Sequence, residues 1–244
     1  MRIRILAVAG LAAVLLTACG GGDSDQGSTS GAGSSSAGSS SAAAKDNGLA
    51  GKTGPEVSKA AADALDAAGS VHVRGDLTEG GTQGSIDMQL QGGDSAGTIS
   101  MQGQTVQLIS TGGKVYAQAP AAFWTANGVP AGAVGQLDGK WVVLPDEVGG
   151  ELDTLSLKAL SAELRSPSDG KIEDAVTRGQ VGSQAVVVVT QDDGSTLSVA
   201  ATGTAYPVQI ADKGAEASAL TLSGFGTKQT IAAPPSPLDL GLGG

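Results

Sequence analysis

The 244-residue sequence holds one cysteine, one histidine and only two each of Trp, Tyr and Phe. A single cysteine leaves no internal disulfide. With one histidine beside it, neither a His/Cys zinc cluster nor a choice of catalytic bases is available. Positive charge is scarce as well: 14 Lys and Arg stand against 24 Asp and Glu, a net charge of −10. Phosphate binding needs clustered Lys and Arg, so nucleic acid is excluded as a partner. Electrostatic attraction to an anionic lipid surface is disfavoured for the same reason. No phosphate loop or dinucleotide fingerprint is present. The apolar run from Ile5 to Leu16 holds about a dozen residues, well short of the roughly 20 that a spanning helix needs.

What is present begins at that run. Arg2 and Arg4 precede it and small residues follow it, ending in Leu16-Thr17-Ala18-Cys19. A basic start, a short apolar stretch and a small-residue cleavage site describe a secretory signal. The four residues resemble the lipobox of bacterial lipoproteins, with cleavage between Ala18 and Cys19. A thiolate is the strongest side-chain nucleophile, so Cys19 can take a diacylglyceryl group as a thioether. One acyl chain anchors only marginally, and two or three give stable membrane attachment. Residues 1–18 are therefore read as a lipoprotein signal peptide and Cys19 as the lipidated first residue of the mature chain. Arg2 and Arg4 leave with the signal and no acid does, so the mature balance is 12 basic against 24 acidic residues.

Residues 19–52 follow as a tether. From Gly20 to Gly48 the chain is nearly all Gly, Ser, Ala and Asp, a composition that cannot build a core. A Gly/Ser-rich chain of about 29 residues reaches roughly 30 Å.

The folded part, 53–235, opens with Thr53-Gly54-Pro55-Glu56, a capping box with proline in the first turn. Val57, Ala60, Ala61, Ala64, Leu65 and Ala68 fall on one helical face, and Gly69 ends the helix. From Ser70 the period becomes two: Val71, Val73 and Leu77, then Ile86, Met88 and Leu90, then Ile99 and Met101, with glycine turns between. Val106, Leu108, Val115 and Ala117 continue a meander of half-buried antiparallel strands. Ala119 to Asp138 is expected as a loop, and Gly139 to Pro145 as a further strand. A second helix is expected over Leu152 to Leu164. Strands follow it: Ile172 to Arg178, the Val run Ala185 to Thr190 suited to burial on both faces, Thr196 to Ala201, Tyr206 to Ala211 and Ala219 to Phe225. Residues 236–244 form an expected tail.

Helix then strands, twice over, gives an α+β fold: a curved antiparallel β-sheet, or half-barrel, with about two helices covering its concave face. Small residues on the inward positions leave room for an apolar cavity. Candidate cavity-lining residues are Val57, Ala61, Ala64 and Leu65 on the first helix and Phe123 and Trp124 in the loop. The aromatic pair serves either as a plug for one end of the core or as the mouth of an apolar site.

Lipobox, tether, Lys114-Val115-Tyr116, Gly139-Lys140-Trp141-Val142, the hairpin from Gly194 to Ile210 with Tyr206-Pro207, and Leu220-Thr221-Leu222-Ser223-Gly224-Phe225-Gly226 occur in one order. In that order they resemble the actinobacterial LppX/LprAFG-type lipoproteins, which are similar in fold to the periplasmic lipoprotein carrier LolA. The resemblance implies a half-barrel whose cavity carries acylated lipids or glycolipids through the cell envelope. This sequence is poorer in large aliphatics and aromatics than the mycobacterial members.

An enzyme is not expected. His72 lies on the polar phase of its strand, Ser168-Asp169-Gly170-Lys171 reads as a turn, and adjacent carboxylates such as Asp146/Glu147 point to opposite faces of an extended chain. No cofactor and no metal site follow from the residues. Two functions remain: an envelope protein at the outer face of the cell membrane that binds or carries acylated lipid or lipoglycan, or a tethered interaction or sensing module with a filled core. Cavity volume separates them, several hundred Å³ being expected of a carrier.

The anchor is testable by itself. Cys19→Ser removes the only thiolate and is expected to abolish acylation and release the protein from membranes, as followed by fractionation and intact mass. Membrane retention with a normally acylated terminus would contradict the assignment.

Overall fold

Alternation of apolar and polar residues from Ser70 onward builds one twelve-stranded sheet. The computed structural model describes residues 45–79, 81–145, 155–213 and 218–239. Ala18, Cys19, the tether before Lys45 and the expected helix start at Leu152 lie outside the described residues. The strands are β1 (Ser70–Glu79), β2 (Thr82–Gln91), β3 (Asp94–Met101), β4 (Gln104–Thr111), β5 (Lys114–Gln118) and β6 (Trp141–Val143). After these come β7 (Ile172–Val181), β8 (Gln184–Gln191), β9 (Thr196–Ala200), β10 (Pro207–Ala211), β11 (Ala219–Ser223) and β12 (Leu238–Asp239). Across the sheet the order is β12-β6-β5-β4-β3-β2-β1-β11-β10-β9-β8-β7. Every pairing is antiparallel except that of β12 with β6. The expected open antiparallel sheet with helices on one face is the architecture found.

Register explains why one face is apolar. Val142, Ala117, Leu108, Gly97, Met88, Val73 and Leu222 are successive partners across the sheet, and all but Gly97 are buried hydrophobics. A one-residue slip anywhere would turn a strand's apolar set to solvent, so the core itself fixes the pairing. In β8, Val187 and Val189 enter this core, while Val186 packs with Ala200 and Val208 in a second cluster. The Val run is thus buried on both faces, as its unbroken apolar sequence requires.

Glycine permits close approach between neighbouring strands. A Cβ at Gly97 would stand 2.1 Å from the Asp87 carbonyl oxygen, and one at Gly75 would stand 2.0 Å from that of Ala219. No side chain fits at such distances, so these strands cross more tightly than substituted residues allow.

The first helix, α1 (Gly54–Ala68), has the expected capping box: the Glu56 carboxylate accepts the Thr53 N–H at 2.9 Å and its hydroxyl at 3.0 Å. Gly69 closes it in the left-handed conformation, φ 69°. Val57, Ala61, Ala62 and Leu65 on its inner face are fully buried. The alanines bring α1 directly onto the sheet, and at Gly54 a Cβ would meet the Glu173 carbonyl oxygen at 2.0 Å.

Four boundaries differ from expectation. The supposed loop from Ala119 to Asp138 contains two short helices, α2 (Ala121–Ala126) and α3 (Ala131–Leu137), each led in by a proline. Six or seven residues are too few to display a helical period in sequence. The helix expected from Leu152 is α4 (Leu157–Arg165) among the described residues, started where the Ser156 hydroxyl oxygen accepts the Ala159 N–H at 3.1 Å. Ordered packing begins upstream of Thr53: Asp46 bridges to Thr202, and Leu49, in a 3-10 turn, is a core residue. At the other end Leu238 and Asp239, placed in the expected tail, pair with Val142 and Val143.

Gly97→Ala is expected to cost about 1–3 kcal/mol or more through overlap with a main-chain carbonyl. That lowers the melting temperature by several degrees in a chain of this size. Gly135→Ala, in α3 with nothing within 4 Å of the new methyl, is expected to be neutral or stabilising by up to about 1 kcal/mol. Equal melting of the two variants would contradict the tight crossing at Gly97.

Candidate functional site

The concave face and its helices enclose one distinctly apolar space. β1 supplies Val73, β2 supplies Ile86, Met88 and Leu90, β10 supplies Ile210, and β11 supplies Leu220 and Leu222; Leu155 and Leu160 close it from above. No lining side chain is polar. Its volume is about 30 Å³, enough for a water molecule, but an apolar space of this size offers water no partners. The space exists because the two main helices meet the sheet differently. α1 presents alanines and sits on the strands, whereas α4 presents leucines that hold it further off. A second, still smaller space of about 10 Å³ lies between α1, α4 and β8, lined partly by Ser58, Gln191 and Ser195.

α4 is fastened mainly to α1. The buried Ser58 hydroxyl donates to the Leu164 carbonyl, satisfying one of the acceptors left open at a helix C-terminus. Next to it, Arg165 donates to Asp63 at 2.9 Å and to Asp66 at 2.5 Å. The Lys59 ammonium and the Arg165 guanidinium hold the Asp63 carboxyl below the ordinary carboxylate range. The Ser161 hydroxyl and Arg165 do the same for Asp66. Arg165 is raised in turn by both acids. These groups are exposed, so each pair contributes modestly on its own.

The six residues singled out from the sequence fall into two places. Val57, Ala61 and Leu65 are fully buried under α1, and Ala64 beside them is half-buried. Phe123 and Trp124 are on α2 after β5, in edge-to-face contact at 5.2 Å, with the Trp124 indole N–H donating to the Ala119 carbonyl at 3.2 Å. None of the six lines the apolar space. Cys19 and Ala18 lie outside the described residues. The alternation of β1 and β2 had already marked Val73, Ile86, Met88 and Leu90 as inward. Which inward residues border unfilled space depends on how high α4 stands, and that has no signature in a single strand.

On the opposite face His72 Nε2 lies 2.7 Å from Asp87 Oδ1, while Arg74 donates to Asp87 Oδ2 at 2.9 Å. His72 is the first cause of the lowered Asp87 carboxyl, ahead of Arg74. This is a cross-strand charge cluster, the sheet counterpart of a helical ion pair. Ser168, from the turn noted in the sequence, donates through its hydroxyl to Glu163 at 3.0 Å. Among the described residues no group of three or more His, Cys, Asp or Glu side chains could hold a metal ion. No helix among them is long and apolar enough to cross a membrane.

Neither a protein-family model nor a curated protein sequence matches this chain. Among solved structures, the chain is similar to LprF from Mycobacterium bovis, with 18% identity over 75% of this chain and 99% of that one, at a TM-score of 0.46. It is also similar to the lipoprotein LppX of Mycobacterium tuberculosis, with 14% identity over 73% of this chain and 98% of that one, at a TM-score of 0.47.

The fastening of α4 to α1 is expected to weaken in acid. Asp63 and Asp66 have folded-state pKa values below their unfolded ones, so their contribution is full above the unfolded value and is lost as pH falls through the folded one. Below about pH 4 the melting temperature is expected to fall, and in Arg165→Gln that fall should be shallower. Identical acid profiles for parent and variant, followed by thermal melts from pH 7 downward, would contradict the role of Arg165.

Proposed function

We propose that this chain is a lipid-anchored cell-envelope protein of the LppX/LprAFG type that binds the acyl part of a lipid or lipoglycan between its sheet and α4. Anchoring rests on the sequence: a basic start, a short apolar run, and Leu16-Thr17-Ala18-Cys19 leading into a Gly/Ser-rich tether. The observation that carries the ligand class is the seam under α4, where nine side chains, seven from four strands, Leu160 from α4 and Leu155 just before it, are all apolar. An acyl chain makes no hydrogen bonds, so a lining without polar groups suits it and suits little else. Entry requires α4 and the sheet to part, because about 30 Å³ holds no acyl chain. The fastening described above makes such parting feasible: the polar bonds Ser58 to Leu164 and Arg165 to Asp63 and Asp66 join helix to helix. α4 can therefore separate from the strands over the seam by trading apolar contact while these bonds stay in place.

The second reading, a tethered module with a solid core, draws on the same volume. A site for an alkyl chain of ordinary length spans several hundred Å³, and the packed seam is an order of magnitude smaller.

Native mass spectrometry of the protein purified from its own membrane distinguishes them. The parent is expected to carry acylated lipid, and Leu160→Phe, which fills the seam from the α4 side, is expected to fold and to lose most of it. Overpacking there costs roughly 1–3 kcal/mol. A parent free of non-covalent lipid, or a Leu160→Phe variant that retains it undiminished, would favour the solid module.

A further inference from the structure

The place where the tether joins the domain is fixed by a cluster of hydrogen bonds. Asp46 bridges to Thr202, and the Asn47 N–H donates to the Ala201 carbonyl at 3.0 Å. The Asn47 side-chain amide donates to the carbonyls of Ala200 at 2.8 Å and Gly203 at 3.2 Å. Gly203 N–H donates back to the Lys45 carbonyl at 3.2 Å, and Arg178 reaches Asp46 at 3.3 Å. These bonds hold residues 45–47 against the connection between β9 and β10.

Strand direction gives that connection a side. β1 begins and β2 ends at the same sheet edge as the end of β9, together with the turns Gly92–Gly93, Gly112–Gly113, Gly182–Ser183 and Gly224–Gly226. These turn residues are uncharged, and the charges beside them, Asp94, Lys114 and the clamp's own Lys45 and Asp46, balance in sign. The other edge holds Asp138, Asp169, Glu173, Asp174, Asp192, Asp193 and Asp212 against Lys52, Lys140, Lys171 and Lys213, an excess of acid. α1 starts toward that acidic edge, since Gly54 lies against the Glu173 carbonyl. Without the clamp at Asp46 and Asn47 the tether would leave there. The clamp instead carries the exit point to the charge-balanced edge.

We infer that the charge-balanced edge, with the turns at residues 182–183 and 202–204, is the face the domain turns to the bilayer; this rests on the lipid-anchored reading above. The chain from Cys19 to Lys45 is Gly/Ser-rich, and about 26 residues of such chain reach roughly 25–30 Å. A ten-residue strand such as β1 is about 33 Å long. The acidic edge can therefore face the membrane only if the tether stretches past its ordinary reach around the domain. Like-charge repulsion from anionic headgroups opposes that orientation further. An edge on which Lys45 and Lys114 offset Asp46 and Asp94 meets less of that barrier.

The test uses the full lipidated chain in vesicles of phosphatidylglycerol and phosphatidylcholine containing a headgroup-attached quencher. A fluorophore is placed through Ser183→Cys at the charge-balanced edge or Gln83→Cys at the opposite one, Cys19 being blocked by lipid. Quenching is expected to be several-fold stronger at position 183. In Asp46→Ala combined with Asn47→Ala the difference between the two positions should shrink. Equal or reversed quenching in the parent, or a contrast unmoved by the double substitution, would overturn the orientation. Failure of the parent to float with vesicles would overturn the anchor, and the orientation with it.

Discussion

A wide antiparallel sheet with one apolar face has to cover that face, and the manner of covering decides everything else in this molecule. Twelve strands offer more apolar surface than one helix can hide. α1 hides part of it at close range, because alanine at positions 61 and 62 leaves nothing between helix and strands. α4 hides an adjoining part at longer range on leucine side chains. Glycines at 75 and 97 let β1, β2, β3 and β11 approach where side chains would collide. The sheet thereby curves toward its helices. Close packing under one helix and a seam under the other follow from the choice of alanine or leucine.

The two helices are bonded to each other more firmly than α4 is bonded to the strands. Ser58 satisfies a terminal carbonyl of α4, and Arg165 spans two acids of α1. Apolar contact alone has no preferred direction and can be exchanged for contact with another apolar body at little cost. An alkyl chain is such a body. The acidic residues of the fastening are exposed, so acid weakens it without disturbing the core beneath. Function in this account sits at the apolar interface between α4 and the sheet.

Much of the architecture was legible in the residues. Thr53 with Glu56 marked the start of α1 and Gly69 its end, and the period of two from Val71 to Ala117 marked five strands. The four consecutive valines from 186 marked a strand buried on both faces. Three things were not legible. α2 and α3 are too short for periodicity to speak. The Asn47 amide donates to main-chain carbonyls more than 150 positions away and Asp46 pairs with Arg178, 132 positions away, and an Asp-Asn pair beside a Gly/Ser-rich run gives no hint of either. The residues of the seam were visible as inward-facing, yet the gap among them depends on the height of a helix defined elsewhere. Ala61 and Leu65, chosen from the α1 stripe, proved to be fully packed for the same reason.

Native-state hydrogen exchange measures the parting of α4 from the sheet directly. Main-chain amides of Leu160 to Arg165 should exchange through a local opening of distinctly lower free energy than those of β2 from Ile86 to Leu90, which should exchange only by global unfolding. Bound acylated lipid should leave the β2 amides unchanged and slow those of α4. Exchange of α4 and β2 at one common free energy, unaffected by lipid, would show that the seam does not open and would contradict the account.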